Sequence, residues 1–155
     1  MKKFIVSILF INFLLLYFHI AKAGELTIST NYKEVIAISK HKKAYFAGGC
    51  FWCMEESFDK INGVIKSVSG YSGGDLKNPT YEDVIYKDTG HVEVVEITYD
   101  PKKVSYNELL NTFWKNIDPF DQYGQFCDKG KSYRSVVFFK NKKQEKIIKE
   151  SINKI

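Results

Sequence analysis

The sequence is poor in the residues from which a haem or a zinc site is built. Its 155 residues contain only three cysteines and three histidines. Cys50 and Cys53 form a Cys-x-x-Cys pair, but covalent haem attachment requires a histidine directly after the second cysteine, where this chain has Met54. A structural zinc site requires a second pair of ligands, and beyond residue 43 only Cys127 and His91 remain. We therefore expect neither haem nor metal.

The chain also lacks strong charge, internal repeats and low-complexity segments. Its formal net charge is +5, and setting aside the three lysines of the first 23 residues, which contain no acid, lowers it to +2. Such a balance argues against a nucleic-acid binder. The lysines between residues 140 and 149 predict a solvated helix face. The hydrophobic content of 45% is sufficient for the core of one domain.

The first 23 residues have the three-part layout of a secretory signal peptide. Two lysines precede the mostly apolar run Phe4–Ile20, and the small-residue site Ala21-Lys22-Ala23 follows it. Cleavage after Ala23 predicts an exported, periplasmic protein with no membrane attachment. An uncleaved membrane anchor is the alternative, because the apolar run approaches the roughly 20 residues of a spanning helix.

Beyond a weakly patterned lead-in at residues 24–42, the pattern of residues 43–155 predicts one domain. Strands are expected near 43–48, 64–70, 91–99 and 134–139. Helices are expected near 51–61, from Thr80, over 106–116 with a capping box of Ser105 and Glu108, and after Asn141. A long polar loop is expected over 116–132. Apart from the short helix at Thr80, this order is β-α-β-β-α-β, which predicts an α+β sandwich of ferredoxin-like type.

One cysteine occupies the join between the first predicted strand and the first predicted helix. The sequence Gly48-Gly49-Cys50 puts a thiol beside unpaired helix N–H groups and the positive end of the helix dipole, and both favour a thiolate. Two buried, inert cysteines are the alternative. The flanking glycines and aromatic residues favour a redox or nucleophilic role for Cys50.

Several motifs together resemble one known family. The sequence resembles the A-type peptide methionine sulfoxide reductases in order from about Tyr45 to Phe139, and the matching blocks are GCFW at 49–52, GYSGG at 70–74, PTYEDV at 79–84, GHVEVV at 90–95, YDP at 99–101, DP at 118–119, GQ at 124–125, DKG at 128–130 and YRS at 133–135. The resemblance implies an α/β sandwich and thiol-based reduction of methionine S-sulfoxide, free or in proteins, without metal or organic cofactor. It also implies oxidised methionine and a thioredoxin-like reductant as partners, and we expect a monomer.

The resemblance also assigns roles to individual residues. Cys50 is the expected nucleophile, and Glu93 is the expected acid for the departing oxygen, which cannot leave unprotonated. A solvent-facing strand glutamate is the alternative for Glu93, and half-buried core rings are the alternative for the tyrosines. The expected substrate-binding residues are Phe51 and Trp52 for the S-methyl group, and Tyr81, Asp128 and Tyr133 for the oxygen or an ordered water.

Two cysteines are candidates to resolve the sulfenic acid left on Cys50. Cys53 lies one helical turn away, and Cys127 directly precedes Asp128, which the resemblance assigns to the same pocket. Cys127 is slightly preferred, because the Cys50–Cys53 ring is short and has to form without unwinding the helix. Either cysteine could instead be a spectator.

The chain departs from the family near its end. Family members usually continue beyond the last helix, whereas this chain stops at Ile155 while the helical stripe of Ile148 and Ile152 is still running. The expectation is a truncated product, a fragment or a reduced variant. The alternatives to a sulfoxide reductase are an exported thiol–disulfide exchange protein and an inactive remnant that binds oxidised methionine.

Overall fold

The computed structural model describes residues 40–155. The predicted export signal at residues 1–23 and most of the lead-in at 24–42 lie outside the described residues. Within the described part of the chain, no helix is long and apolar enough to cross a membrane.

Residues 42–152 contain six strands and four helices. The strands are β1 Lys42–Ala47, β2 Val64–Ser72, β3 Val92–Tyr99, β4 Gly124–Gln125, β5 Asp128–Lys129 and β6 Val136–Phe138. The helices are α1 Phe51–Asp59, α2 Tyr81–Tyr86, α3 Tyr106–Lys115 and α4 Lys142–Ile152, and a 3₁₀ turn covers Lys131–Tyr133.

The main sheet has the strand order β2-β3-β1-β6, and every neighbouring pair is antiparallel. The parallel strands β1 and β2, joined by α1, are therefore separated by β3. In the same way β3 and β6 are separated by β1. This interleaving of two βαβ units is the split βαβ arrangement, and the predicted α+β fold is confirmed.

Side-chain caps fix where three of the helices begin. Thr80 and Asp83 form a reciprocal capping box at α2, and Ser105 and Glu108 form another at α3. The side chain of Asn141 accepts a hydrogen bond from the first turn of α4. Each cap satisfies backbone N–H groups that have no partner inside the helix. All three predicted starts are confirmed.

The segment predicted as a polar loop over 116–132 contains additional structure. Strands β4 and β5 form a small antiparallel hairpin in this segment, and the 3₁₀ turn follows it. Strand β6 begins at residue 136, two residues later than predicted. The sequence could not predict the hairpin, since strands of two residues are too short to show an alternating pattern.

The core lies on one face of the sheet, beneath α1 and α3. Phe46 of β1 stands at its centre, with ring centroids 5.0 Å from Phe58, 5.3 Å from Phe113 and 6.1 Å from Tyr106. Full burial of one such side chain stabilises the fold by about 1.5–3 kcal/mol. Phe58 lies on α1, and Cys50 directly precedes the first residue of this helix. The core therefore holds the start of α1 against the sheet.

The last helix, α4, turns its charged side chains to solvent. Its lysines form exposed ion pairs with Glu145 and Glu150, while Ile148 is buried. Exposed pairs of this kind contribute little to stability. The prediction of a solvated helix face is confirmed.

Candidate active site

Cys50 is the N-cap residue of α1 and lies directly after the two glycines that leave β1. Its backbone is non-helical, with φ −56° and ψ 114°, and its side chain makes no capping hydrogen bond. Gly49 has φ +82°, and a Cβ at this position would lie 2.6 Å from the Cβ of Gln125. Only glycine fits this close approach. The predicted placement of Cys50 at a helix start is confirmed.

Glu93 reaches the same helix terminus from the neighbouring strand β3. Its Oε2 accepts a hydrogen bond of 2.9 Å from the backbone N–H of Phe51. The residue is only 2% exposed, so the solvent-facing alternative is wrong. Burial raises the pKa of Glu93, the hydrogen bond from Phe51 opposes this effect, and the charge of Asp128 adds to it. Glu93 is thus a buried carboxyl group that holds its proton to higher pH than an exposed glutamate does.

An aromatic surface borders Glu93. The buried ring of Phe51 lies 5.2 Å from the ring of Trp52 and 5.7 Å from that of Tyr71. Trp52 is 66% exposed, so its ring lies at the solvent-facing edge of this aromatic surface. Tyr71 pairs directly with Glu93 across strands β2 and β3. Sequence reasoning missed Tyr71, because this neighbour relation exists only once the strand register is known.

Two tyrosine hydroxyl groups meet beside the carboxyl group. Burial raises the pKa of Tyr133, and a hydrogen bond with Tyr81 and the charge of Glu93 raise it further. The Tyr133 hydroxyl therefore stays protonated at neutral pH and can donate a hydrogen bond to an oxygen atom. The charge of Asp128 also acts on Tyr133. The predicted substrate-binding residues thus lie close to Glu93.

All three cysteines line one groove. This cysteine groove has a volume of about 330 Å³ and includes Cys50, Cys53, Cys127 and Asp128. The three thiols are free. Hydrogen bonding to Cys50 raises the pKa of the Cys53 thiol, and burial raises it further. The structure therefore brings both resolving candidates to the nucleophile, and the preference for Cys127 stays a prediction.

Gln125 fixes the hairpin that carries Cys127. Its buried side chain accepts a hydrogen bond of 2.6 Å from the N–H of Asp118 and donates to the carbonyl oxygens of Asp118 and Gly124 at 2.8 and 2.7 Å. Sequence reasoning gave Gln125 no role, since a neutral amide carries no catalytic signal. Phe126 and Cys127 form the two-residue turn that follows, and Phe126 has φ +48°. A positive φ is what hairpin turns of this length require.

His91 is one of the two residues, with Cys127, that the sequence left as possible zinc ligands. Its Nδ1 accepts a hydrogen bond of 3.2 Å from the N–H of Gly74, and its Nε2 lies 3.0 Å from the carbonyl oxygen of Leu76. With Nε2 as the donor, both ring nitrogens are engaged. His91 therefore ties the loop after β2 to the start of β3.

Comparison with known proteins gives a consistent result. A family model described as peptide methionine sulfoxide reductase matches residues 42–155. The peptide methionine sulfoxide reductase MsrA of Bacillus licheniformis is 51% identical over 116 residues, which are 75% of this chain and 64% of that protein. The chain thus spans somewhat less than two thirds of this relative's length.

Solved structures with the same fold include a yeast protein in two states. The reduced form of Mxr1 from Saccharomyces cerevisiae superposes with a TM-score of 0.67 at 31% identity, over 75% of this chain and 71% of that one. Mxr1 in complex with Trx2 superposes with a TM-score of 0.51 at 25% identity, over 75% and 69% of the two chains.

The raised pKa of Glu93 predicts a pH-dependent stability difference. Above its ordinary value of 4.5, the folded chain retains a proton that the unfolded chain releases, so the free energy of unfolding falls as pH rises through this window. In Glu93→Gln the glutamine side chain can still accept the hydrogen bond from the Phe51 N–H, but it does not titrate. We expect this variant to gain stability relative to the wild type between pH 4.5 and neutral pH, measured by urea unfolding.

A second glutamate on β3 supplies the matched control. Hydrogen bonding to Lys43 lowers the pKa of Glu96, so its contribution to stability is present above the ordinary value of 4.5 and is lost on acidification. Glu96→Gln should therefore lose stability relative to the wild type as pH rises towards 4.5, and the difference should stay constant from there to neutral pH. Trends of the same sign in both variants would contradict the assignment for Glu93.

Proposed function

Because the chain belongs to the peptide methionine sulfoxide reductase family, we propose that it reduces methionine S-sulfoxide, free or in proteins, to methionine. The observation that carries this proposal is the buried carboxyl group of Glu93, hydrogen-bonded to the N–H directly after Cys50. A nucleophile and a proton donor thereby flank one small volume, and sulfoxide reduction requires both groups.

The first step joins Cys50 and Glu93 in one transition state. The Cys50 thiolate attacks the sulfoxide sulfur, and Glu93 donates its proton to the oxygen, which would otherwise leave as oxide. The sulfur–oxygen bond breaks, methionine leaves, and Cys50 becomes a sulfenic acid. Two electrons pass from Cys50 to the substrate. Donation from Tyr133 to the same oxygen supports the developing charge.

Selection of one epimer follows from the two unlike walls of the site. The aromatic surface of Phe51 and Trp52 suits the S-methyl group, whereas Tyr81, Tyr133 and Glu93 suit the oxygen. A substrate that satisfies both walls while directing its sulfur at Cys50 has one handedness. The opposite epimer would turn its oxygen towards the aromatic surface and lose the donors Glu93 and Tyr133.

The sulfenic acid is resolved by a second thiol, and we propose Cys53 for this role because its thiol is hydrogen-bonded to Cys50. Across one turn of an ideal helix, the Cα atoms of positions i and i+3 lie about 5 Å apart. That separation is within the disulfide range, so the helix need not unwind. The Cys53 thiolate attacks Cys50, hydroxide leaves and becomes water, and a disulfide forms. Cys127, preferred from the sequence, is the alternative outcome of the test below.

A protein dithiol is the proposed reductant of this disulfide. The solved complex of yeast Mxr1 with Trx2 supports a thioredoxin-like protein in this role. Cys53 and Cys127 are both exposed, so an external thiolate can reach the groove. We expect neither a metal nor an organic cofactor in the cycle, and we expect a monomer.

The proposed activity is tested with separated epimers of methionine sulfoxide and dithiothreitol as donor. We expect reduction of the S epimer and none of the R epimer. Cys50→Ser should remove turnover, and Glu93→Gln should lower kcat by roughly 10²–10⁴-fold with little change in KM, because a proton donated in the transition state is lost while shape is kept. Equal rates on both epimers, or turnover by Cys50→Ser, would refute the assignment.

The resolving thiol is identified by disulfide mapping after one turnover without reductant. We expect a bond between Cys50 and Cys53, and we expect Cys53→Ser to stop after one methionine per enzyme when thioredoxin is the donor. Cys127→Ser is the matched control and should keep turning over. The reverse pattern would assign resolution to Cys127.

Export and repair of oxidised exported proteins form the last part of the proposal. The support is the pattern of Met1–Ala23, with its lysine pair, apolar run and small-residue site. N-terminal sequencing of the chain recovered from the periplasm should then begin at Gly24. A chain retained in the membrane with Met1 intact would favour the anchor.

A further inference from the structure

Cys50 and Cys53 form a compact dithiol at the start of a helix. Cys50 caps α1 and Cys53 follows three residues later, so both sulfur atoms lie on one side of the helix terminus. Both residues line the cysteine groove, and Cys53 is exposed to solvent. This arrangement contains what thiol–disulfide exchange needs, namely an attacking sulfur, a second cysteine one helical turn away and an open approach.

The acid of the sulfoxide reaction neighbours this groove but does not line it. Glu93 is held at the N–H of Phe51 and beside Tyr71, and it is not among the described residues that line the groove. Exchange with a disulfide breaks a sulfur–sulfur bond, and the leaving group is a thiolate that needs no proton. Disulfide chemistry at Cys50 is therefore independent of Glu93, whereas sulfoxide chemistry depends on it.

We propose that the reduced Cys50–Cys53 pair has a second activity, the reduction of solvent-accessible disulfides, which does not require Glu93. The inference deepens the proposed function, since it relies on the same reactive Cys50. Its substrate class is an unhindered aliphatic disulfide, carried by a small peptide or by an extended segment of a protein.

The reaction balances in two steps. The Cys50 thiolate attacks one sulfur of the substrate, forming a mixed disulfide and releasing the first substrate thiol. The Cys53 thiolate then attacks the Cys50 sulfur, releasing the second substrate thiol and closing the Cys50–Cys53 disulfide. The substrate gains two electrons and two protons, and the cysteine pair loses them. A dithiol reductant of the class already proposed restores the pair.

Reversibility gives this activity a thermodynamic basis. Reduction of the Cys50–Cys53 disulfide by an external dithiol is itself a thiol–disulfide exchange, and each of its steps runs in both directions. A pair that accepts electrons from a dithiol therefore donates them to a disulfide of higher reduction potential. The direction depends on the partner and not on any further group in the protein.

The groove favours a slender substrate. Its volume of about 330 Å³ is bordered by the exposed ring of Phe126 and by two opposite charges, Lys115 and Asp128. Such a volume accommodates a cystine side chain with its flanking backbone. Oxidised glutathione and a disulfide-linked peptide present the same chemistry at two sizes, so both serve as probes.

The test is a single-turnover assay with pre-reduced protein from which the reductant has been removed. The probes are oxidised glutathione and a peptide whose disulfide separates a fluorophore from its quencher. For the wild-type chain we expect one disulfide reduced per enzyme, with a Cys50–Cys53 bond found by mass mapping. If only the peptide reacts, the substrates are disulfides in polypeptides. If oxidised glutathione reacts as well, the substrates include small disulfides.

Four variants distinguish this activity from simple thiol reactivity. Cys50→Ser should not react, and Cys53→Ser should accumulate the mixed disulfide on Cys50 without releasing the second thiol. Glu96→Gln, on the same strand as Glu93 but paired with Lys43 and not lining the groove, should exchange at the wild-type rate and serves as the matched control. Glu93→Gln should retain disulfide exchange while its sulfoxide reduction falls by roughly 10²–10⁴-fold.

The outcomes separate the two proposals. Loss of both activities in Glu93→Gln would overturn independence from the acid, and reaction of Cys50→Ser at the wild-type rate would overturn the assignment to the pair. Release of both thiols by Cys53→Ser would likewise overturn it. Disulfide reduction without sulfoxide reduction in the wild-type chain would uphold this inference and refute the proposed function.

Discussion

The hydrogen bond from the N–H of Phe51 to the Glu93 carboxyl group is the contact on which the candidate site depends. It joins the first turn of α1 to the central strand β3. Cys50 caps the same turn without a side-chain hydrogen bond of its own, so Glu93 supplies an acceptor that the cap does not provide. One contact thereby sets the distance between thiol and acid and satisfies a backbone donor.

Two negative charges at this terminus would repel each other. The helix N-terminus favours an anion, and both the Cys50 sulfur and the Glu93 carboxylate compete for that favourable field. Burial of Glu93 and the nearby charge of Asp128 favour its neutral form. A neutral acid beside an anionic sulfur is the combination that sulfoxide reduction needs, because one group attacks while the other protonates.

The surroundings of Cys50 divide into two sides with different chemistry. Towards Glu93 the neighbours are aromatic rings and hydroxyl groups that suit a sulfoxide. Towards the groove the neighbours are the sulfur atoms of Cys53, on α1, and of Cys127, on the hairpin that Gln125 fixes. The close approach of Gly49 to Gln125 joins the two sides, since any side chain at residue 49 would push the hairpin away.

The sequence by itself determined the order of elements, the helix caps and the position of Cys50, because these features depend on neighbours within a few residues along the chain. The capping box of Ser105 and Glu108 is such a local contact, and so is the glycine pair before Cys50. Only the tertiary structure decided that Glu93 is buried, since an isolated strand leaves either face open to solvent.

Contacts between distant parts of the chain also lay beyond the sequence. Tyr71 joins the site through strand register, and Gln125 joins it through hydrogen bonds to a loop whose path no periodic pattern predicts. Whether Cys127 comes close to Cys50 likewise depends on where the hairpin packs. Local propensity fixes elements within a few residues, whereas burial, register and loop packing depend on residues far apart in the chain.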